Sequence, residues 1–367
     1  MKDAGYVTGM TGKWHLDPNR NQHAWINENM TEIAGREKYV DSDIPHEKKI
    51  PYLPTEKGFD YVMEGHVNTY WANYTLEGEL IEKQLMHVEG YRLDIQSQAA
   101  VTFIEMNHDK PFFYYLSYFA PHVPLEATEK YLSRFPGEMP ERRRMCLAML
   151  AAIDDGVGSI KETLRKYDIE ENTLIVFLGD NGAPLKLHKE DIPLSFKGGA
   201  WNGSLNEPYL GEKGMLSEAG TRVPFIMNWP DGLPKGMVYE RPVISMDIAA
   251  TSLALAGKEV PGELDGVNVI PYINGELDGD PHEALYWRFW HQSAIRMGDW
   301  KYLRYKEGEF LFNVANDVHE NVNLISEYPE KATELKEKLI QWTDELKYPG
   351  LEMEGSPQLT KSYDFYF

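Results

Sequence analysis

The sequence predicts an α/β protein: a mostly parallel central sheet flanked by helices, followed by a small antiparallel sheet and a terminal helix. Four short apolar runs, "GYVTGM" (5–10), "FFYYLSYF" (112–119), "TLIVFLG" (173–179) and "VPFIMNW" (223–229), read as strands buried on both faces, as in a parallel sheet. Helical periods separate them, the alternation expected of an α/β chain. From about residue 282 the pattern changes to β-type residues around a turn.

In chain order, the first strand is followed by a stretch, 17–80, rich in Asn, Pro, Tyr and His that resists regular assignment. Irregular segments of that length serve as binding loops or lids. Residues 92–106, "RLDIQSQAAVTFIEM", fit a helical period less cleanly than the segment that follows. In 141–166, Met145, Met149, Ala152, Ile160 and Leu164 recur at three- and four-residue steps, a second helix. A further irregular stretch, 183–212, lies between the third and fourth strands. In the C-terminal part, "SAIRMGDWKYLRY" (293–305) reads as a hairpin turning at Gly298–Asp299, and "EFLFNV" (309–314) as another strand. A final helix, 329–346, places Leu335, Leu339, Trp342 and Leu346 on one stripe. The expected division is an α/β domain, 1–281, and a C-terminal subdomain, 282–367.

The 367 residues carry a net charge of −21, which argues against nonspecific nucleic-acid binding. An anionic substrate would need a local positive field against that background. No apolar run approaches the ~20 residues of a membrane-spanning helix, and "MKDAGYVTGM" has no signal-peptide core, so export is not encoded in the chain as given. Cys146 is the sole cysteine, which excludes an intrachain disulfide and a multi-thiolate zinc site. It sits in "RRMCLAMLAA" and reads as a core residue; the compartment is left open.

Ligands of open α/β sheets sit at the carboxyl ends of the strands, and three of the four strands end in unusual chemistry. The first delivers "GKWH", where alternation in an extended segment would point Lys13 and His15 the same way. The second ends in "APHVP", with His122 between stiffening prolines. The third ends in "GDNG", with Asp180 and Asn181 on a turn. Ahead of the fourth, "GEKGMLSEAGTR" contributes Lys213 and Arg222. Taken singly, these are turns, solvated edges and surface charges. Converging on one rim, they would make an anion site with an oxygen-liganded cation and proton-transfer groups.

The ordered set "AGYVTGMTGKWHL", "APHVPLEATEKYL", "FLGDNGAP", "GEKGMLSEAGTRVPFIMNWP", "VISMDIAATSLALAG", "LDGVNVIPYINGE", "AIRMGDWKYL" and "LFNVANDVHENVNL" resembles the type I, formylglycine-dependent sulfatases of the alkaline phosphatase superfamily over nearly the whole chain. The resemblance implies an alkaline phosphatase-like fold and a calcium-assisted sulfuric ester hydrolase. It implies that Asp180 and Asn181 ligate calcium and that Lys13 and Lys213 bind sulfate oxygens or the nucleophile. His15 would assist breakdown of the covalent intermediate, and His122 would hydrogen-bond or protonate the leaving oxygen. Asp17 departs from the glycine common after "KWHL".

A larger departure is the absence of a C/S-x-P-S-R motif, whose Cys or Ser supplies the family's nucleophile; no nucleophile is identified in this chain. From this follows the expectation that the family's N-terminal nucleophile segment, with further acidic calcium ligands, is missing ahead of Met1. The chain alone would then be marginally stable and nearly inactive. The expected partner is a sulfated small molecule or glycan. Trp25, Tyr70, Trp71, Trp201 and Arg222 are candidate substrate contacts, although the aromatics would equally pack the loops onto the domain. Two alternatives stand beside this reading: a phosphomonoester or phosphonate hydrolase of the same superfamily, and a non-catalytic pseudo-sulfatase that binds sulfated glycans. Family members are often periplasmic or extracellular.

Overall fold

The structure, a computed structural model, describes residues 1–195, 200–347 and 357–367. Residues 196–199 of the expected 183–212 loop lie outside the described residues. The chain divides into two compact units. The first comprises Met1–Met139 and Arg144–Glu170; the second comprises Pro140–Arg143 and most of the chain from Glu171 onward.

The first unit is built on a five-stranded sheet of β1 (Val7–Gly12), β2 (Tyr61–Glu64), β3 (Thr69–Tyr74), β4 (Leu80–His87) and β5 (Phe112–Ser117), in the order β4-β3-β2-β1-β5. β1 pairs in parallel with both β2 and β5, while β2–β3 and β3–β4 are antiparallel, so the central sheet is mixed. Two of its strands, β2 and β3, come from the Asn- and Tyr-rich stretch that sequence patterning left unassigned, and β4 begins at its last residue. The helices are α1 (His23–Asn29), α2 (His46–Lys49), α3 (Arg92–Asn107), α4 (Glu129–Leu132) and α5 (Glu141–Lys166), whose first turn belongs to the second unit. Gly9 explains how α3 reaches the sheet. A Cβ there would lie 2.6 Å from the Phe103 ring and 2.5 Å from Tyr114, so only glycine lets those rings cover β1. On the other sheet strands, Met63, Tyr70, Ala72 and Tyr74 pack with Ile95 and Ala99 of α3. Met149, Ala152 and Ile153 of α5 pack with Tyr91, Leu93 and Tyr131, as the three- and four-residue steps predict. Cys146 is fully buried on the same helix.

The second unit contains β6 (Ile175–Leu178), β7 (Phe225–Asn228), and a four-stranded antiparallel sheet of β8 (Leu285–Phe289), β9 (Gln292–Met297), β10 (Trp300–Tyr305) and β11 (Gly308–Asn313). Its helices are α6 (Glu218–Thr221), α7 (Asp247–Leu255), α8 (Ile270–Ile273), α9 (Pro329–Glu345) and α10 (Pro357–Tyr366). β6 and β7, expected as parallel strands buried on both faces, pair antiparallel with each other alone. A two-stranded ribbon has no further strands to cover it, and Phe177 and Ile226 are accordingly exposed. The C-terminal sheet follows the sequence expectation. Gly298, at φ 55°, turns the β9–β10 hairpin. Leu335 and Leu339 of α9 bury against Ile295, Tyr302 and Leu311, and Trp342 stacks on Tyr286 at 5.1 Å.

Candidate active site

The unit-1 residues gather at the carboxyl ends of β1, β2 and β5. β1 stops at Gly12, where φ is 99° and a Cβ would lie 2.0 Å from the Ser117 carbonyl oxygen. The chain leaves the sheet here, and His15 takes a left-handed conformation at φ 62°. Lys13 and His15 are therefore positioned by a turn, not by the strand alternation expected from sequence. A non-glycine residue held at positive φ stores local strain of a kind that clusters at functional sites. Lys13 keeps its tie to the sheet through its backbone N–H, which donates to the Ser117 carbonyl at 2.9 Å. Its ammonium lies over Phe119, 5.2 Å from the ring centre.

His122 approaches the same phenyl ring, with centroids 4.8 Å apart. Its Nδ1–H donates to the Val123 carbonyl at 2.7 Å, which orients the ring. His66, in the loop between β2 and β3, stacks on Phe119 with centroids 4.6 Å apart. Partial desolvation of its packed face, then the charges of Lys13, Arg92, His15 and His122, hold its pKa below the usual histidine value. Sequence reasoning missed His66. The available signal was its place just past Glu64, the residue that pairs with Gly12 ahead of Lys13.

Two acidic groups border this cluster. Burial, reinforced by the Asp17 charge and partly offset by Lys49, pushes Glu64 up to about 7. Asp17 itself is paired with Lys49 at 3.2 Å, so the residue that departs from the family's glycine fastens the loop after His15.

In the second unit, Asp180 and Asn181 lie in the turn after β6. That turn docks on α6: the Gly182 N–H donates to the Gly220 carbonyl at 3.2 Å, and a Cβ on Gly182 would meet the Ala219 carbonyl oxygen at 1.6 Å. Just beyond, the Lys213 N–H donates to the Ala183 carbonyl at 3.0 Å, so Asp180, Asn181 and Lys213 are neighbours along one backbone framework. Arg222, at the end of α6, lies over Tyr209 at 4.9 Å and pairs with Glu218 at 3.4 Å.

The α6 anchor is a buried ion cluster. Lys301 Nζ on β10 lies 2.9 Å from Glu218 Oε1 and 3.0 Å from Glu320 Oε1, and Glu320 Oε2 accepts the Glu218 N–H at 2.7 Å. Burial opposes Lys301's charge, but the two carboxylates outweigh it and hold its pKa above the usual lysine value. Burial also raises both glutamates. Lys301, Arg296 and Arg222 bring Glu218 below the usual carboxylate range, whereas burial and the Glu218 charge keep Glu320 above it.

The chemistry of Asp180 and Asn181 fits a hard divalent cation. Nothing among the described residues engages the Asp180 carboxylate, and Asn181 Nδ2 donates to the Gly182 carbonyl at 2.9 Å, leaving Oδ1 available. Their number does not suffice alone: calcium takes six to eight oxygens, and no group of three or more His, Cys, Asp or Glu gathers as a metal site among the described residues.

The aromatic candidates turn inward. Tyr70 is fully buried, Trp71 is 8% exposed and Trp201 4%. Trp201 packs on Ala183 and Leu185 and donates to the Ser204 carbonyl at 2.6 Å. Trp25 donates to Tyr52 Oη at 2.8 Å. These rings hold the loops in place.

In the first unit β1 ends in a Lys and His turn, in the second β6 ends in an Asp-Asn turn, and comparisons with known proteins identify the family. Residues 1–258 match the family described as Sulfatase, and residues 208–346 match the N-sulphoglucosamine sulphohydrolase C-terminal family. The chain belongs to the sulfatase family. It is 29% identical over 300 residues to the uncharacterized sulfatase YdeN of Escherichia coli (strain K12), covering 78% of this chain and 48% of that protein. It is 30% identical over 306 residues to the Homo sapiens N-acetylgalactosamine-6-sulfatase, covering 82% of this chain and 52% of that one. The chain thus spans about half the length of the curated relatives it matches. Among solved structures, that of Ps i-CgsB in complex with k-i-k-neocarrahexaose matches with a TM-score of 0.73 and 26% identity, covering 99% of this chain and 78% of that one.

One expectation is overturned. Solved structures match 94–99% of the chain with its N-terminal region included, and the sulfatase family match begins at residue 1. The inference of a missing nucleophile segment, drawn from the absence of a C/S-x-P-S-R motif, falls with that finding.

Proposed function

We propose that the chain is a sulfuric ester hydrolase acting on sulfated carbohydrate. The observation that carries this reading is the set of Lys13, His15 and His122 at the carboxyl ends of β1 and β5, in a family whose relatives include N-acetylgalactosamine-6-sulfatases. Lys13, in the first unit, binds sulfate oxygens or the nucleophile, and Lys213, in the second, is assigned the same kind of role. His122 passes its Nε2 proton to the leaving sugar oxygen, where charge develops as the S–O bond breaks. His15 would assist breakdown of the covalent intermediate that the family's nucleophile forms, and Arg222 contacts substrate. Asp180 and Asn181 supply two oxygen ligands to a calcium ion, which when bound polarises the sulfuryl group as a Lewis acid. No residue is assigned as nucleophile. A boundary near residue 281 separates the α/β part from the C-terminal sheet.

The test compares sulfate release from N-acetylgalactosamine 6-sulfate with phosphate release from the matching 6-phosphate, for wild type, Lys13→Ala and His122→Ala. Sulfate release that each substitution lowers by at least ~10²-fold is the expected result. Faster phosphate release would favour the phosphoester alternative. Saturable binding with no turnover would favour a glycan-binding pseudo-sulfatase.

A further inference from the structure

His66 has no role in the reading above, yet it occupies the centre of the unit-1 site. Its imidazole lies nearly flat on Phe119, at an interplanar angle of 24°. The same phenyl ring has Lys13 Nζ at 5.2 Å, the Arg92 guanidinium at 5.6 Å and the His122 ring at 4.8 Å from its centre. The charged groups that act on His66 are all basic: Lys13, Arg92, His15 and His122. A ring among such neighbours stays neutral at pH 7 and keeps one N–H to donate. The residue is exposed, and neither ring nitrogen has a hydrogen-bond partner among the described residues.

Its backbone, by contrast, is fixed. The His66 carbonyl accepts from Arg92 Nη1 at 3.4 Å, and Arg92 Nη2 donates to the Pro124 carbonyl. The Arg92 side chain is fully buried, and the one carboxylate beside it, Glu126, stands 3.6 Å from Nε. A single guanidinium at the start of α3 therefore ties the loop of His66 to the loop of His122. An imidazole oriented by stacking, anchored through its carbonyl and open at its edge suits a ligand that accepts hydrogen bonds and carries negative charge.

We propose that His66 is a third substrate-contacting imidazole, donating a hydrogen bond to an anionic oxygen of the sulfate ester; this rests on the reading that the rim of Lys13 and His122 receives that ester. The proton stays on His66 and no bond is made or broken there. Its contribution is to affinity, so in turnover its loss raises KM and leaves kcat nearly unchanged.

The experiment titrates the full chain with inorganic sulfate by calorimetry, using wild type, His66→Ala, His66→Gln and Lys13→Ala, with circular dichroism and melting as fold controls. In parallel, the imidazole resonances of His66 are followed by NMR in wild type. His66→Ala weakens sulfate binding about tenfold, equivalent to ~1.4 kcal/mol, His66→Gln restores most of it through its amide N–H, and the His66 resonances shift on saturation. If His66→Ala binds like wild type while Lys13→Ala loses binding, the role of His66 is overturned and the site reading stands. If wild type shows no saturable binding, both fall. If His66→Ala does not fold, the wild-type spectrum decides: unshifted His66 resonances at saturation overturn the proposal.

Discussion

Replacing Lys301 with methionine tests how the second unit holds α6, on which the turn of Asp180 and Asn181 docks. Lys301 is fully buried and shares its ammonium between Glu218 and Glu320, which are 2% and 1% exposed. Methionine fills the aliphatic volume but leaves two carboxylates facing each other without their cation. Removing one partner of a buried ion cluster costs ~3–5 kcal/mol, most of it the penalty of the stranded charge. Arg296, 3.6 Å from Glu218, compensates part of this on one side only, so the lower half of the range is expected at pH 7. The deficit depends on pH. In Lys301→Met, burial and mutual repulsion raise the carboxylate pKa above the unfolded value near 4.5, so the penalty is present at pH 7 and shrinks as pH falls towards the unfolded value. The assay is thermal and urea unfolding of wild type, Lys301→Met and Lys301→Met/Glu320→Gln at pH 7 and pH 5. The single variant should lose most at pH 7, and the double variant should recover much of that loss. A deficit below ~1 kcal/mol, or one equal at both pH values, would refute the charge-compensation argument.

Two further outcomes follow from unit 1. Glu64 binds its proton more tightly folded, at about 7, than unfolded, so it costs stability increasingly as pH rises from about 4.5 through 7; Glu64→Gln should melt higher than wild type at pH 8 and alike at pH 4. Gly12→Ala should destabilise by more than ~2 kcal/mol in denaturant unfolding, because its φ is 99° and the added Cβ would strike Ser117 O at 2.0 Å; an alanine variant as stable as wild type would show that the strand end adapts.

Helices α5 and α9 were legible in the sequence because their apolar steps match what they bury: Met149 and Ala152 in one unit, Leu335 and Leu339 in the other. The β9–β10 hairpin was legible because a Gly-Asp pair marks the turn locally. β2 to β4 were not, since Asn73 and Tyr74 serve as strand residues through partners far away. Asn73 accepts from the Val62 N–H at 2.8 Å, and Tyr74 Oη lies 3.2 Å from Thr11 Oγ1. Parallel pairing was over-read for β6 and β7, because a short apolar run does not encode strand direction. Among the site residues, Lys13, His15, His122, Asp180, Asn181 and Lys213 stand out in motifs. His66, Arg92 and Lys301 do not, because their roles depend on distant contacts: Lys301 and Glu218 are 83 positions apart.

Phe119 sets a condition on how an anion reaches this protein. The ring spaces Lys13, Arg92, His66 and His122 around one apolar body, so the attractive field is compact and is felt over roughly a Debye length, ~10 Å at 0.1 M salt. Beyond that distance the sulfate ester of the proposed reading meets a chain of net charge −21. Encounter is therefore repulsive from afar and attractive at close range, and moderate salt, which screens the outer repulsion first, should speed association where it ordinarily slows the capture of a charged ligand.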